Sequence, residues 1–396
     1  MKTKKKLLSL IFAAALIFSG CENRLELNNL VMISSCIYDI DDKNNIYVQV
    51  EAKRPIASEE ENIGKSFMPV NLSARGKTSF DALDNLQGSY APNLTTAFIK
   101  VNLLTENIAK HGVTSVLDYF LRDNEIKENS LVVVIKDKNL DKLDKSYYGL
   151  DRTLGDYIEN LSYHQPNANS SSAFVSIFDF IHSTNQKGIE AVCGVCEIVE
   201  KEELEMLGQS EDEADKKEMK IKYEGLAVFN GPKLVGFLDG KETEMYNLIV
   251  NKFHKGIVYV KNEQFEGSIE ILKAKTKIET KYEEGKVKIA IYPKVNFSVI
   301  EIKKGDVASK KEHKKQIEEA LNQILNEQIK SVVEKTKNEY QSDIFGFGLY
   351  FENHNTKAWQ NLSNNWNKHF KEAEITVSTK SYLINTKQLS EPLIKR

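Results

Sequence analysis

The run VMISSCIYDI (31–40) is apolar at most positions, and after the polar residues Asp41 to Asn45 the run IYVQVEA (46–52) alternates apolar and polar. A period of two sends successive side chains to opposite faces, so the pair predicts a β-hairpin. Helical stretches follow in KTSFDALDNLQGSY (77–90) and NIAKHGVTSVLDYFLRD (107–123), with an apolar strand, SLVVVI (130–135), after them. Pro, Asn and Ser in HQPNANSSSAF (164–174) predict a loop. Ile189, Ala191, Cys193 and Val195 alternate with smaller or polar neighbours and read as another strand.

Residues 200–220, EKEELEMLGQSEDEADKKEMK, carry dense charge with few large apolar side chains, which predicts a solvated linker or loop. Beyond it, YEGLAVFNGPKLVGFLDGKETEMYNLIV (223–250) reads as strand, Asn230-Gly231 turn, strand and helix. Long alternating strands over 269–302 fold back at Glu284-Gly285. Ile317, Leu321, Ile324, Leu325, Ile329, Val332 and Val333 then stripe one face of a helix over 317–340. Its simplest cover is that sheet. Trp359, Leu362, Trp366 and Phe370 form a second stripe, expected in the core. The fold class is therefore α+β, multi-domain and mixed α/β, with a C-terminal antiparallel sheet packed by a long amphipathic helix. The division expected is 1–20, a leader; 21–199, a mixed α/β region with room for two subdomains; 200–220, the charged segment; and 221–396, a sheet-and-helix domain.

The leader follows from one more pattern. Lys2, Lys4, Lys5 and Lys6 precede a 12-residue apolar run, Leu7 to Phe18, and Ser19-Gly20-Cys21 close it. The run is short of the roughly 20 residues a membrane-spanning helix needs, and the three-part pattern is that of a secretory signal. Small residues before a cysteine match the lipobox of bacterial lipoproteins, although Phe18 stands where Leu is usual. Cys21 is thus the expected lipidation site, its sulfur alkylated by diacylglycerol, ahead of a plain signal peptide or an uncleaved anchor. The whole chain carries −3 and the four leader lysines +4, so the remainder carries −7. That excludes a nucleic-acid binder and leaves membrane attachment to the lipid.

Candidate chemistry is sparse. Cys193 and Cys196 form a C-x-x-C, but a strand sends them to opposite faces, so small core residues are expected in place of a redox or metal pair. YDIDDKNNIY (38–47) has alternating aspartates but lacks the glycine and glutamate of a calcium loop. No nucleophile elbow, phosphate loop, zinc motif or dinucleotide fingerprint occurs, and the seven histidines are scattered. No cofactor, metal or catalytic residue is expected. Lys273, Lys275 and Lys277 share one strand face, where an anion or lipid-headgroup patch competes with the plainer reading of a solvated guard against edge pairing.

The succession GCENRLELNNL, KTSFDALDNLQ, VLDYFLRDNEIKENSLVVV, YEGLAVFNGPKLVGFLDGKET and DIFGFGLYFENHNTKAWQNLSNNW resembles the Ger(x)C family, lipoprotein C subunits of nutrient germinant receptors in bacterial endospores. Family members usually carry Trp-Asp after the lipid cysteine, where Glu22-Asn23 stand here. The resemblance implies a three-domain mixed α/β fold without catalytic residues. It also implies lipid anchorage on the outer face of the spore inner membrane and assembly with the membrane-embedded A and B receptor subunits. The competing reading is a free-standing solute-binding lipoprotein of the cell envelope, and the third, a tethered enzyme, rests on Cys193 and Cys196 alone.

Overall fold

Backbone pairing makes the hairpin the start of a large sheet. The computed structural model describes residues 30–53, 69–90, 93–136, 140, 143, 146–147, 151, 153–200, 219–304 and 311–385. β1 (Val31–Ile40) and β2 (Ile46–Lys53) pair antiparallel around a turn that Asp41 closes. Its carboxylate accepts the backbone N–H of Lys43 and Asn45 at 2.9 and 2.8 Å, and Asn44 takes a left-handed φ of 58°.

β3 (Val70–Gly76) continues the hairpin antiparallel, while β4 (Leu94–Thr95) and β5 (Val101–Thr105) lie parallel to β1. β6 (Leu131–Ile135) pairs parallel with β5, and β8 (Val192–Glu200) parallel with β6. Parallel neighbours need crossovers. These hold α1 (Ser79–Tyr90), then α2 (Glu106–His111) and α3 (Thr114–Arg122), then α4 (Leu154–Asn169) and α5 (Ile177–Asn185). β9 (Met219–Asn230) and β10 (Lys233–Leu238) extend the sheet antiparallel beyond β8, and β7 (Ser146–Tyr147) pairs with β9. The order is β10-β9-β8-β6-β5-β1-β2-β3. Both ends of the charged segment 200–220 thus enter neighbouring strands of one sheet; residues 201–218 lie outside the described residues.

Covered faces explain why β5 and β6 read as unbroken apolar runs. Val132, Val134 and Leu104 join the core shared with α1, α2, α3 and α5, whereas Leu131, Val133, Ile135 and Leu103 join a smaller core under Leu154 and Ile158 of α4.

α6 (Gly240–Ile249) links this sheet to the next. An Asp239–Glu242 capping box starts it, and every residue from Thr243 to Ile249 is buried, Met245, Leu248 and Ile249 joining the core that both sheets share. The second sheet pairs β11 (Gly256–Lys261), β12 (Glu266–Glu283) and β13 (Lys286–Lys304) antiparallel and adds two short parallel strands, β14 (Glu374–Val377) and β15 (Lys380–Asn385), against β13. α7 (Lys311–Lys335) covers it, burying Ile317, Leu321, Leu325, Ile329, Val332 and Val333. The helix also holds the free edge of β15. Glu318 Oε1, Asn322 Oδ1 and Asn326 Oδ1 accept the backbone N–H of Leu383, Ser381 and Thr379 at 2.9, 2.8 and 2.8 Å. Four helical residues advance about 6 Å and two strand residues about 6.6 Å, so the two ladders run in step.

Three local expectations change. The helix over 107–123 breaks into α2 and α3 at Gly112, whose φ of 130° ends the first while its N–H bonds Ile108 O. The loop placed at 164–174 starts later, because α4 runs through Asn169; tertiary context there overrides composition. The helix over 317–340 stops at Lys335, and a π turn, Thr336–Tyr340, leads to Gln341 in a left-handed conformation.

Candidate functional site

Cys21, the expected lipidation site, lies outside the described residues. Cys193 and Cys196 are described, and the strand separates them as its period requires. Cys193 packs into the large core and Cys196 into the smaller one, on opposite faces of the sheet. Both thiols are free and fully buried, and burial pushes each well above the ordinary thiol range, which keeps the sulfur protonated and unreactive. Cys36 is buried likewise, pushed up to about 12. Among the described residues no group of three His, Cys, Asp or Glu could hold a metal ion.

A more elaborate arrangement sits where the first sheet meets the C-terminal helices. Asp343, fully buried, accepts the backbone N–H of Phe345, Phe347 and Gly348 at 3.2, 3.1 and 3.0 Å, and Trp366 Nε1–H at 2.8 Å. It thereby ties together the start of α8 (Phe347–His354), α9 (Thr356–Leu362) through the ring packed on Trp366, and α10 (Trp366–Lys371). Trp359 and Trp366 are both buried and meet edge to face with centroids 5.4 Å apart. Across this junction Glu190 accepts from Gly231 N–H and Asn367 Nδ2, and Lys187 Nζ donates to Asn364 Oδ1. Gly188, at φ 88°, lets the chain approach so closely that a Cβ on Gly348 would stand 2.4 Å from its Cα. A surface cleft of about 450 Å³ lies over these groups. Its polar groups hold chain segments together, and no nucleophile and base stand paired among those that line it.

The Lys273, Lys275 and Lys277 side chains are exposed, as the strand period required, on the face of the second sheet opposite its core. What the one-dimensional pattern could not show is their neighbours. Lys275 stands directly across from Lys294 of β13, and Lys294 across from Lys380 of β15. A second cleft, about 510 Å³, is lined by Lys275, Lys277, Glu279, Tyr292, Lys294 and Lys380.

Two family models match the chain in tandem: "Spore germination protein N-terminal domain" over residues 23–198 and "Spore germination B3/ GerAC like, C-terminal" over residues 224–387. The chain belongs to the Ger(x)C family. Ger(x)C relatives match it nearly end to end. Spore germination protein B3 of Bacillus subtilis (strain 168) is 22% identical over 97% of this chain and 98% of its own length. Spore germination protein KC of the same organism is 21% identical over 99% of this chain and 98% of its own length. The crystal structure of the GerBC protein aligns with a TM-score of 0.56 at 18% identity, covering 92% of this chain and 100% of that one, so the two share a fold.

Asp343, which organises the C-terminal helices of this chain, is not singled out as a hydrogen-bond centre by periodicity or motif. The signal available was DIFGFG itself: an acid followed by two glycines within five residues, where a carboxylate can collect successive backbone N–H groups.

Proposed function

We propose that this chain is the lipid-anchored C subunit of a nutrient germinant receptor, held on the outer face of the spore inner membrane beside A and B membrane subunits, and that it acts by assembly without catalysing a reaction. The observation that carries this reading is the tandem family match over 23–198 and 224–387, in relatives of similar length named as spore germination proteins. The buried thiols and the hydrogen-bond-filled junction give no constellation for covalent or acid–base chemistry among the described residues. No described helix is long and apolar enough to cross a membrane; attachment in this reading is through Cys21. The division in sequence at the charged segment, into 21–199 and 221–396, belongs to the same proposal, with β9 and β10 of the second part completing the sheet of the first.

Spores lacking this chain test it. They are expected to lose the response to particular nutrients, read as loss of optical density and release of dipicolinate, while germinating normally when receptors are bypassed. Unchanged responses to every nutrient, in a strain with no related receptor, would overturn the reading. A defect that persists under bypass would move the role to the coat or cortex.

A further inference from the structure

The outer face of the second sheet concentrates positive charge on a chain whose net charge is negative. Lys273, Lys275 and Lys277 of β12, Lys294 of β13 and Lys380 of β15 all project from it, and all are exposed. Lys275, Lys294 and Lys380 form one row across three strands in register. Like charges directly opposite each other on a sheet repel, so this row is unfavourable unless something anionic meets it. The carboxylate that lines the same cleft, Glu279, is engaged by Lys277 at 2.7 Å, and no carboxylate among the described residues pairs with Lys273, Lys275, Lys294 or Lys380.

Edge protection does not account for the row. β13 is paired on both sides, so Lys294 guards no edge, and on β12 the backbone N–H and C=O of Thr276 are already bonded by the side chain of Asn251. The same face exposes Tyr292, Tyr382 and Ile384, the last two at 45% and 59%. Lysines on long flexible stems among tyrosines and an aliphatic side chain suit the headgroup layer of a bilayer, where ammonium groups meet phosphates and amphipathic rings sit at the interface.

We propose that the Lys275–Lys294–Lys380 face is a docking surface for the phosphate groups of an anionic phospholipid membrane, and that it sets which side of the chain lies against the lipid. This rests on the membrane-surface reading above and refines it: the net negative charge turns the rest of the body away while the basic face engages. A lipid anchor at Cys21 limits distance, and the face limits orientation.

The test is co-sedimentation with vesicles, using the unacylated chain from residue 22 to 396, which contains every described strand and helix. Vesicles holding about 30 mol% phosphatidylglycerol are compared with neutral phosphatidylcholine ones, between about 0.05 and 0.3 M salt. The expected result is preferential, salt-weakened binding to the anionic vesicles, lost about tenfold or more in Lys275→Glu/Lys294→Glu/Lys380→Glu. A matched triple variant elsewhere, Lys315→Glu/Lys330→Glu/Lys357→Glu, changes net charge equally and keeps the binding. Melting curves verify both folds, and Lys→Gln replaces Lys→Glu at the three positions if the first variant unfolds. Equal binding to neutral vesicles, equal loss in the matched variant, or full displacement by millimolar inorganic phosphate would each overturn the proposal. Binding to polyglutamate without binding to vesicles would overturn it in favour of an acidic protein partner. Failure here leaves the anchored-subunit reading standing, since that depends on Cys21 processing and on spores lacking the chain.

Discussion

Trp366 donates its indole N–H to Asp343 at 2.8 Å with both side chains buried, so the C-terminal helices are pinned to a carboxylate that water does not reach. Burial raises the Asp343 carboxyl from 3.8 to about 6, against the lowering pull of Gly348, Trp366, Phe347 and Phe345 donors. An acid raised in the folded state is protonated there at pH values where the unfolded chain has already released its proton. Its contribution is therefore fully present below about pH 4 and is lost as pH rises through about 6. The difference in unfolding free energy between the parent and Asp343→Asn should shrink by about 2 kcal/mol from pH 4 to pH 7. Denaturant titrations at several pH values check it, and a pH-independent difference would show that Asp343 does not titrate in this window.

The indole is expected to matter twice. Trp366→Ala removes packing against Trp359, Phe351 and Phe370 and should lower stability by about 3–5 kcal/mol. Trp366→Phe keeps a ring but removes the donor to Asp343, and should lower it by about 1–3 kcal/mol. A Trp366→Phe variant as stable as the parent, measured by urea unfolding, would mean that the hydrogen bond contributes nothing.

Cys193 and Cys196 should behave as small core residues. The double replacement by Ala is expected to lower stability by about 1–2 kcal/mol per side chain. In the native parent both should resist a thiol-reactive maleimide and react only after unfolding. Rapid native labelling, or a reversible Cys193–Cys196 disulfide, would contradict their placement on opposite faces.

Asn322 holds the Ser381 N–H on the edge of β15. Asn322→Ala leaves that buried donor unmet and should lower stability by about 1–3 kcal/mol. Hydrogen exchange offers a local readout: the amides of Thr379, Ser381 and Leu383 should lose protection together, while those in β1 and β2 keep theirs.

Cys21→Ala is expected to leave an unprocessed or released chain, because no thioether forms without the sulfur. Membrane fractionation and intact mass decide it. Acylation and membrane retention at the parent's level would remove the lipoprotein reading.

The sequence by itself determined the pieces whose cause is local. A period of two with Asp41–Asn45 between runs specified the first hairpin, Asn230-Gly231 and Glu284-Gly285 specified two more, and the apolar stripe from Ile317 to Val333 specified a long covered helix. The same period separated Cys193 from Cys196, and the order of loose segments along the whole chain carried the family. Tertiary structure alone decided which elements meet. Nothing in 219–238 says that its hairpin joins the sheet before the charged segment, because register and neighbours depend on which edge is left open. Lys294 and Lys380 join the lysines of β12 only once β13 and β15 are in register, and Asp343 becomes a centre only when Trp366, 23 residues later, folds back onto it. Local pattern sets the face a side chain points to, whereas its partners come from long-range packing, which one-dimensional periodicity does not encode.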